Sequence, residues 1–232
     1  MALTKVTSGG LTDDSIVNAD INSSAAVALS KLATDPSNAS NLASGTVPTA
    51  RLGSGTASAS TFLTGAQTYA GAGITECDQW RMTAETAKGS GSSYITANWE
   101  RNDSTGFEKM GTGLSESSGV FSFPSTGKYL ISFQLNLSNR NGGTNRTMGY
   151  VRNEISVTIN DSAYTKSTET NASFDDSGNE WTNSCFAQFF FDVTDVANCK
   201  FKVGLTAADS CAILGGSTYQ GTAITVTRLG DT

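Results

Sequence analysis

Histidine is absent from all 232 residues. Without an imidazole there is no Ser-His-Asp or Cys-His nucleophile, no histidine-ligated zinc and no histidine acid or base. Positive charge is scarce: Lys plus Arg number 15 against 21 Asp plus Glu, a net charge of −6. A duplex nucleic-acid binder needs a basic stripe to displace phosphate counterions, so nucleic acid is not an expected partner. No apolar run approaches the about 20 residues of a spanning helix, and membrane insertion is not expected. The opening segment from Met1 to Gly10 lacks the apolar centre of a secretory signal, so a soluble chain made in a cytoplasm is expected. The four cysteines, Cys77, Cys185, Cys199 and Cys211, show no paired metal-ligand spacing. They read as buried free thiols, with a Cys185–Cys199 or Cys199–Cys211 bridge as the alternative in oxidising surroundings. No metal and no cofactor is expected.

What is present is glycine, at 24 residues, and abundant Ser, Thr, Asn and Ala, with only 16% charged residues. That is not the composition of a helical bundle; it suits β-structure with many turns. The chain divides near residue 70. Residues 1–70 hold no Cys, Trp or Glu and only two aromatics, Phe62 and Tyr69. Such a low-complexity stretch cannot bury a core of its own. It is nevertheless patterned: Leu11, Ile16, Ile21 and Ala26 recur every five residues, as do Leu42, Val47 and Leu52. Steps of five rotate side chains round a helix and alternate faces on a strand, so neither element alone accounts for them. A trimeric stem does, with each apolar side chain meeting its copies at a common axis. A short helix over 19–32 is a further expectation, capped by Asn22 or Ser23.

Residues 71–232 carry every Trp and Cys and all the other Phe. Strands are predicted over 74–82, 94–100, 119–123, 128–137, 151–159, 185–193, 199–205 and 223–229. The segment Lys128–Leu137 is the strongest, with Tyr129, Ile131, Phe133, Leu135 and Leu137 on one face. Phe121 and Phe123 join Tyr129, Ile131 and Phe133 in the predicted core, and Trp80 and Trp99 read as core rings. The expected fold class is all-β: a C-terminal antiparallel jelly-roll sandwich over 71–232, preceded by an extended, trimeric low-complexity stem over 1–70.

The run Phe121-Ser-Phe-Pro-Ser-Thr-Gly-Lys-Tyr-Leu-Ile-Ser-Phe133 resembles the strand–turn–strand of the complement/tumour-necrosis-factor superfamily of jelly-roll trimers. Gly221–Leu229 stands where that family places its last core strand. The loops between Arg140 and Glu180 depart from the animal proteins, so no receptor contact transfers. In the first half, the segment from Ser15 to Leu32 resembles one found in fibre proteins of tailed bacteriophages, cyanophages among them. The segment Ala50–Tyr69 is similar to one that often precedes a fibre's C-terminal module. The resemblance implies a homotrimer assembled in the host cytoplasm into a virion. Its N-terminus would attach to tail or head proteins and its C-terminal domain would bind a host-surface glycan or protein.

Trp181 and Tyr164, flanked by Asn, Ser, Thr and Asp, are candidate binding rings for such a surface. The polar stretches from Arg140 to Arg146 and Asn171 to Asn183 add Arg140, Asn145, Asp175 and Asp176. Oxygen ligands around Asp175-Asp176 do not match a calcium loop, and a solvated loop is the plainer reading. Glycoside hydrolysis needs two carboxylates about 5–9.5 Å apart across a sugar, and no pair here is placed by sequence. The chain is therefore read as a non-enzyme. The alternatives are a head-attached decoration fibre, a glycan-hydrolysing tailspike and a secreted adhesin of complement type.

Overall fold

The computed structural model describes residues 52–232, apart from 59–60, 72, 142–143, 146–148 and 174–179. Of the stem positions only Leu52 is described, and it is exposed. Leu11, Ile16, Ile21, Leu42 and Val47 lie outside the described residues, as does the expected helix over 19–32. Among the described residues there is no helix.

Strands β1 (Thr61–Leu63) and β2 (Tyr69–Gly71) pair in a small sheet of their own. Then β3 (Cys77–Met82), β4 (Thr86–Lys88), β5 (Gly91–Tyr94), β6 (Trp99–Arg101), β7 (Ser115–Ser117) and β8 (Val120–Ser122) lead into the long β9 (Gly127–Ser138). A short hairpin follows, β10 (Arg140–Asn141) with β11 (Thr144–Asn145). The chain closes with β12 (Tyr150–Thr158), β13 (Thr165–Ser173), β14 (Thr182–Val193), β15 (Lys200–Ala207), β16 (Cys211–Ile213) and β17 (Ala223–Gly230).

Two antiparallel sheets carry the domain. One runs β13-β12-β15-β8-β7, with β5 also on β15. The other runs β4-β16-β9-β17-β3-β6, and β14 pairs the whole of β9 on its free side. The alternation read in Lys128–Leu137 holds: Tyr129, Ile131, Phe133, Leu135 and Leu137 are all buried. Facing them from the other sheet are Val151, Ile155, Phe201, Val203 and Leu205, also buried. Each such side chain contributes about 1.5–3 kcal/mol by leaving water. Phe121 stacks on Phe201 with centroids 5.0 Å apart, and Trp80 and Trp99 meet Phe121 edge-on at 5.7 and 5.5 Å. The architecture is an all-β antiparallel jelly roll.

Two expectations need correction. The single strand expected over 94–100 is two: β5 pairs with β15 in one sheet, and β6 pairs with β3 in the other. Asn98 between them has φ 64°, so the chain turns there and crosses between layers. The polar segment Thr165–Ser173, read as loop, is β13, paired along β12 from Tyr150↔Ser173 to Val157↔Thr165. All four cysteines are free: Cys185, Cys199 and Cys211 are buried and Cys77 is partly exposed, and neither alternative bridge, Cys185–Cys199 or Cys199–Cys211, is formed.

Polar braces hold the β3–β6 edge and the loop beyond it. Asp78, almost fully buried, accepts from Gln79 N at 3.0 Å, Trp80 Nε1 at 3.0 Å and Leu114 N at 2.8 Å, and pairs with Arg101 at 3.0 Å. The bond to Leu114 fixes the chain as it enters β7. Beyond β7, Ser118 and Gly119 have φ 53° and 78°, the geometry of a two-residue type I′ hairpin. A Cβ on Gly119 would stand 2.3 Å from the Ile95 carbonyl oxygen, so only glycine fits.

Candidate recognition surfaces

Tyr164 and Trp181 come to opposite ends of the sandwich. Trp181 precedes β14, whose first residue pairs with Ser138 at the end of β9. Tyr164 precedes β13, whose first residue pairs near the end of β12. Asn183 Nδ2 donates to the Ser173 carbonyl at 2.8 Å, which sets the far end of β13 beside the Trp181 end. The length of β13 separates the two rings, at about 3.3 Å per residue. They cannot serve one small ligand together.

At the Trp181 end, Trp181 N donates to Asn139 Oδ1 at 2.8 Å and Asn139 N donates to the Trp181 carbonyl at 3.1 Å. This clamp leaves the residue 41% exposed. Arg140 and Asn145 are register partners across the β10–β11 hairpin, which extends from β9 at the same end. A shallow depression of about 350 Å³ is lined there by Asn136, Thr182, Asn183, Ser184 and Leu214. Trp181 does not line it. Asp175 and Asp176 lie outside the described residues.

At the Tyr164 end the geometry is richer. Tyr164 and Tyr94 stand with ring centroids 6.4 Å apart. Lys202 on β15 places its ammonium 4.1 Å from the Tyr164 ring and 5.3 Å from the Tyr94 ring. Burial, with the nearby Asp161 carboxylate, raises the Tyr164 phenol above its ordinary value. Lys200 Nζ pairs with Asp161 at 2.6 Å. Together with Ser115, Glu116, Ser117 and Ser122, the side chains of Tyr164, Asp161, Lys200 and Lys202 border an open depression of about 500 Å³. Sequence reading reached Tyr164 through its polar neighbours but missed Tyr94 and Lys202. The available signal was the Lys-x-Lys spacing at 200 and 202, which sets both side chains on one face of a strand whose Phe201 and Val203 point inward.

A third surface is apolar. On β14, Phe186 and Phe190 are 53% and 52% exposed, on the sheet face turned away from the core. Their register partners on β9 are Gln134 and Leu130. Between them Gln188 Nε2 donates to Ser132 Oγ at 3.0 Å. Among the described residues no cluster of three or more Cys, Asp or Glu is arranged to hold a metal ion.

No family model matches the chain and no curated relative matches it. Among solved structures it is similar to an Eiger tumour necrosis factor from S. frugiperda, with TM-score 0.51 and 14% identity over 67% of this chain and 93% of that one. A murine APRIL structure aligns at TM-score 0.47 and 15% identity, over 66% of this chain and 98% of that one. The likeness to Eiger shows a shared jelly-roll fold of the tumour-necrosis-factor type.

Proposed function

We propose that this chain is a homotrimeric fibre protein of a tailed-phage virion. Residues 1–70 attach it to tail or head and form the stem, and the jelly roll over 71–232 binds the host surface. The observation that carries the self-association is the outward face of β14 and β9. Two phenylalanines there, Phe186 and Phe190, are each more than half exposed. Such a patch on a soluble domain favours a covering partner. A second and third copy of the chain supply one whose surface is always at the same concentration. The attachment role is supported by the stem segments Ser15–Leu32 and Ala50–Tyr69. Binding then works by repetition, since each weak contact of a tethered copy gains effective concentration. The reading assigns recognition and no bond-breaking step.

Light scattering of the full chain tests the assembly: about three times the monomer mass is expected, and a monomer overturns it. Phe186→Ser with Phe190→Ser is expected to weaken the trimer while leaving the β-sheet circular dichroism intact. Immunogold labelling of intact particles tests the location. Label on the tail fits host attachment, label on the capsid makes the chain a head-attached decoration fibre, and no label removes it from the virion.

A further inference from the structure

The outer face of the β13-β12-β15-β8-β7 sheet carries a cation whose hydrogen-bonding capacity is unspent. On β15, Phe201, Val203 and Leu205 point into the core, so Lys200 and Lys202 stand side by side on the opposite face. Lys200 is neutralised by Asp161 at 2.6 Å. Lys202 has no carboxylate partner among the described residues. Its ammonium is instead held against the rings of Tyr164 and Tyr94. A cation–π contact fixes the position of the charge but accepts none of its three N–H bonds.

The surroundings add hydroxyls in the same condition. Ser115, Ser117 and Ser122 border the depression, and none of their side chains makes a hydrogen bond among the described residues. The register sets Lys200, Ser122 and Ser115 in one row across three strands. The two carboxylates on the rim are engaged: Asp161 by Lys200, and Glu116 by Gly119 N at 2.6 Å. One unpaired cation therefore sits beside three free hydroxyls and two half-buried rings, on a chain of net charge −6. The depression, about 500 Å³, is of the size that takes a small ligand.

We propose that this depression binds an acidic saccharide, carboxylated or sulfated, with its anionic group on the Lys202 ammonium. The serine hydroxyls exchange hydrogen bonds with the sugar's own, both tyrosine rings hold the lysine in place, and Tyr164, which lines the depression, presents an apolar edge to the sugar. A neutral hexose offers the hydroxyls but nothing for the ammonium, so the site distinguishes charged from neutral sugars through one contact. The inference rests on reading the jelly roll as a host-surface binding module and names the class of ligand it takes.

The test uses the full-length protein and three probes: trigalacturonate, galactose 6-sulfate and galactose, titrated by calorimetry or saturation-transfer NMR. The expected result is binding of at least one acidic probe about tenfold or more tighter than galactose, weakening as salt rises. The two acidic probes separate carboxylate from sulfate as the preferred group. Lys202→Gln is expected to cost about tenfold or more for the acidic probe, and Lys202→Arg about threefold or less. Equal binding of acidic and neutral sugars, binding insensitive to salt, or a Lys202→Gln protein that binds as wild type with an unchanged melting temperature overturns the proposal. Should Lys202→Gln fail to fold, Lys202→Arg and the salt titration decide. Adsorption of the same protein to host cells is measured in parallel. Cell binding without saccharide binding sinks this inference and spares the host-attachment reading; loss of both sinks the two together.

Discussion

The guanidinium of Arg81, wholly buried, meets the carboxylate of Glu100 at 2.8 Å across the β3–β6 pair. The same guanidinium donates to Asn102 at 3.0 Å, to Ser104 at 2.6 Å and to Asp103 at 2.5 Å. One side chain thus gathers the loop that follows β6. Arg81→Ala leaves these acceptors without their donor and is expected to cost about 2–4 kcal/mol. Asp103, whose carboxylate is exposed, is expected to cost under about 1 kcal/mol as Asp103→Asn. Urea denaturation of the two variants checks the order, and an equal loss would place the brace elsewhere.

Phe133 lies at the centre of β9, fully buried between the sheets. Phe133→Ala is expected to cost about 3–5 kcal/mol, since the cavity is walled by strands that cannot collapse onto it. A loss under about 1 kcal/mol in thermal or chemical unfolding would mean that the inner face of β9 is not the core face.

Ser156 is fully buried, and its hydroxyl has no hydrogen-bond partner among the described residues. Removing an unsatisfied group costs nothing that the fold was using. Ser156→Ala is expected to leave stability unchanged or to raise it by about 1 kcal/mol. A clear destabilisation would reveal a partner for the hydroxyl.

Cys211 is buried, and burial pushes its thiol up to about 11; burial also raises Cys185. At mildly alkaline pH both remain thiols, and the thiolate is the reactive form. Iodoacetamide labelling of the folded protein, read by mass spectrometry, is expected to spare both and to modify the partly exposed Cys77 first. Unfolding in urea is expected to bring all four to similar rates.

The hairpin between β7 and β8 depends on Gly119, whose φ is 78°. Gly119→Ala forces a methyl into the Ile95 carbonyl oxygen and is expected to destabilise by more than about 1 kcal/mol. A melting temperature equal to wild type would mean that the turn relaxes to another type. Because β7 carries Ser115 and Ser117, a destabilised turn is also expected to loosen the depression beside Lys202.

What the amino-acid sequence determined by itself was the part written in alternation. The β9 face of Tyr129, Ile131, Phe133, Leu135 and Leu137 was legible because a half-buried strand must alternate, and so was the all-β class. What only the tertiary structure decided depended on partners far along the chain. Thr165–Ser173 is polar on both faces, and only its pairing with β12 makes it a strand. The run 94–100 looks continuous, and its division between two sheets follows from β15 claiming one half and β3 the other. Tyr164 was visible as a ring in polar surroundings, but its distance from Trp181 was not. Nor was its meeting with Tyr94 and Lys202, because the three residues come from separate strands and loops that only the sheet register brings side by side. Local chemistry selects the elements; which groups become neighbours is set by long-range pairing, and that is a property of the folded sheets.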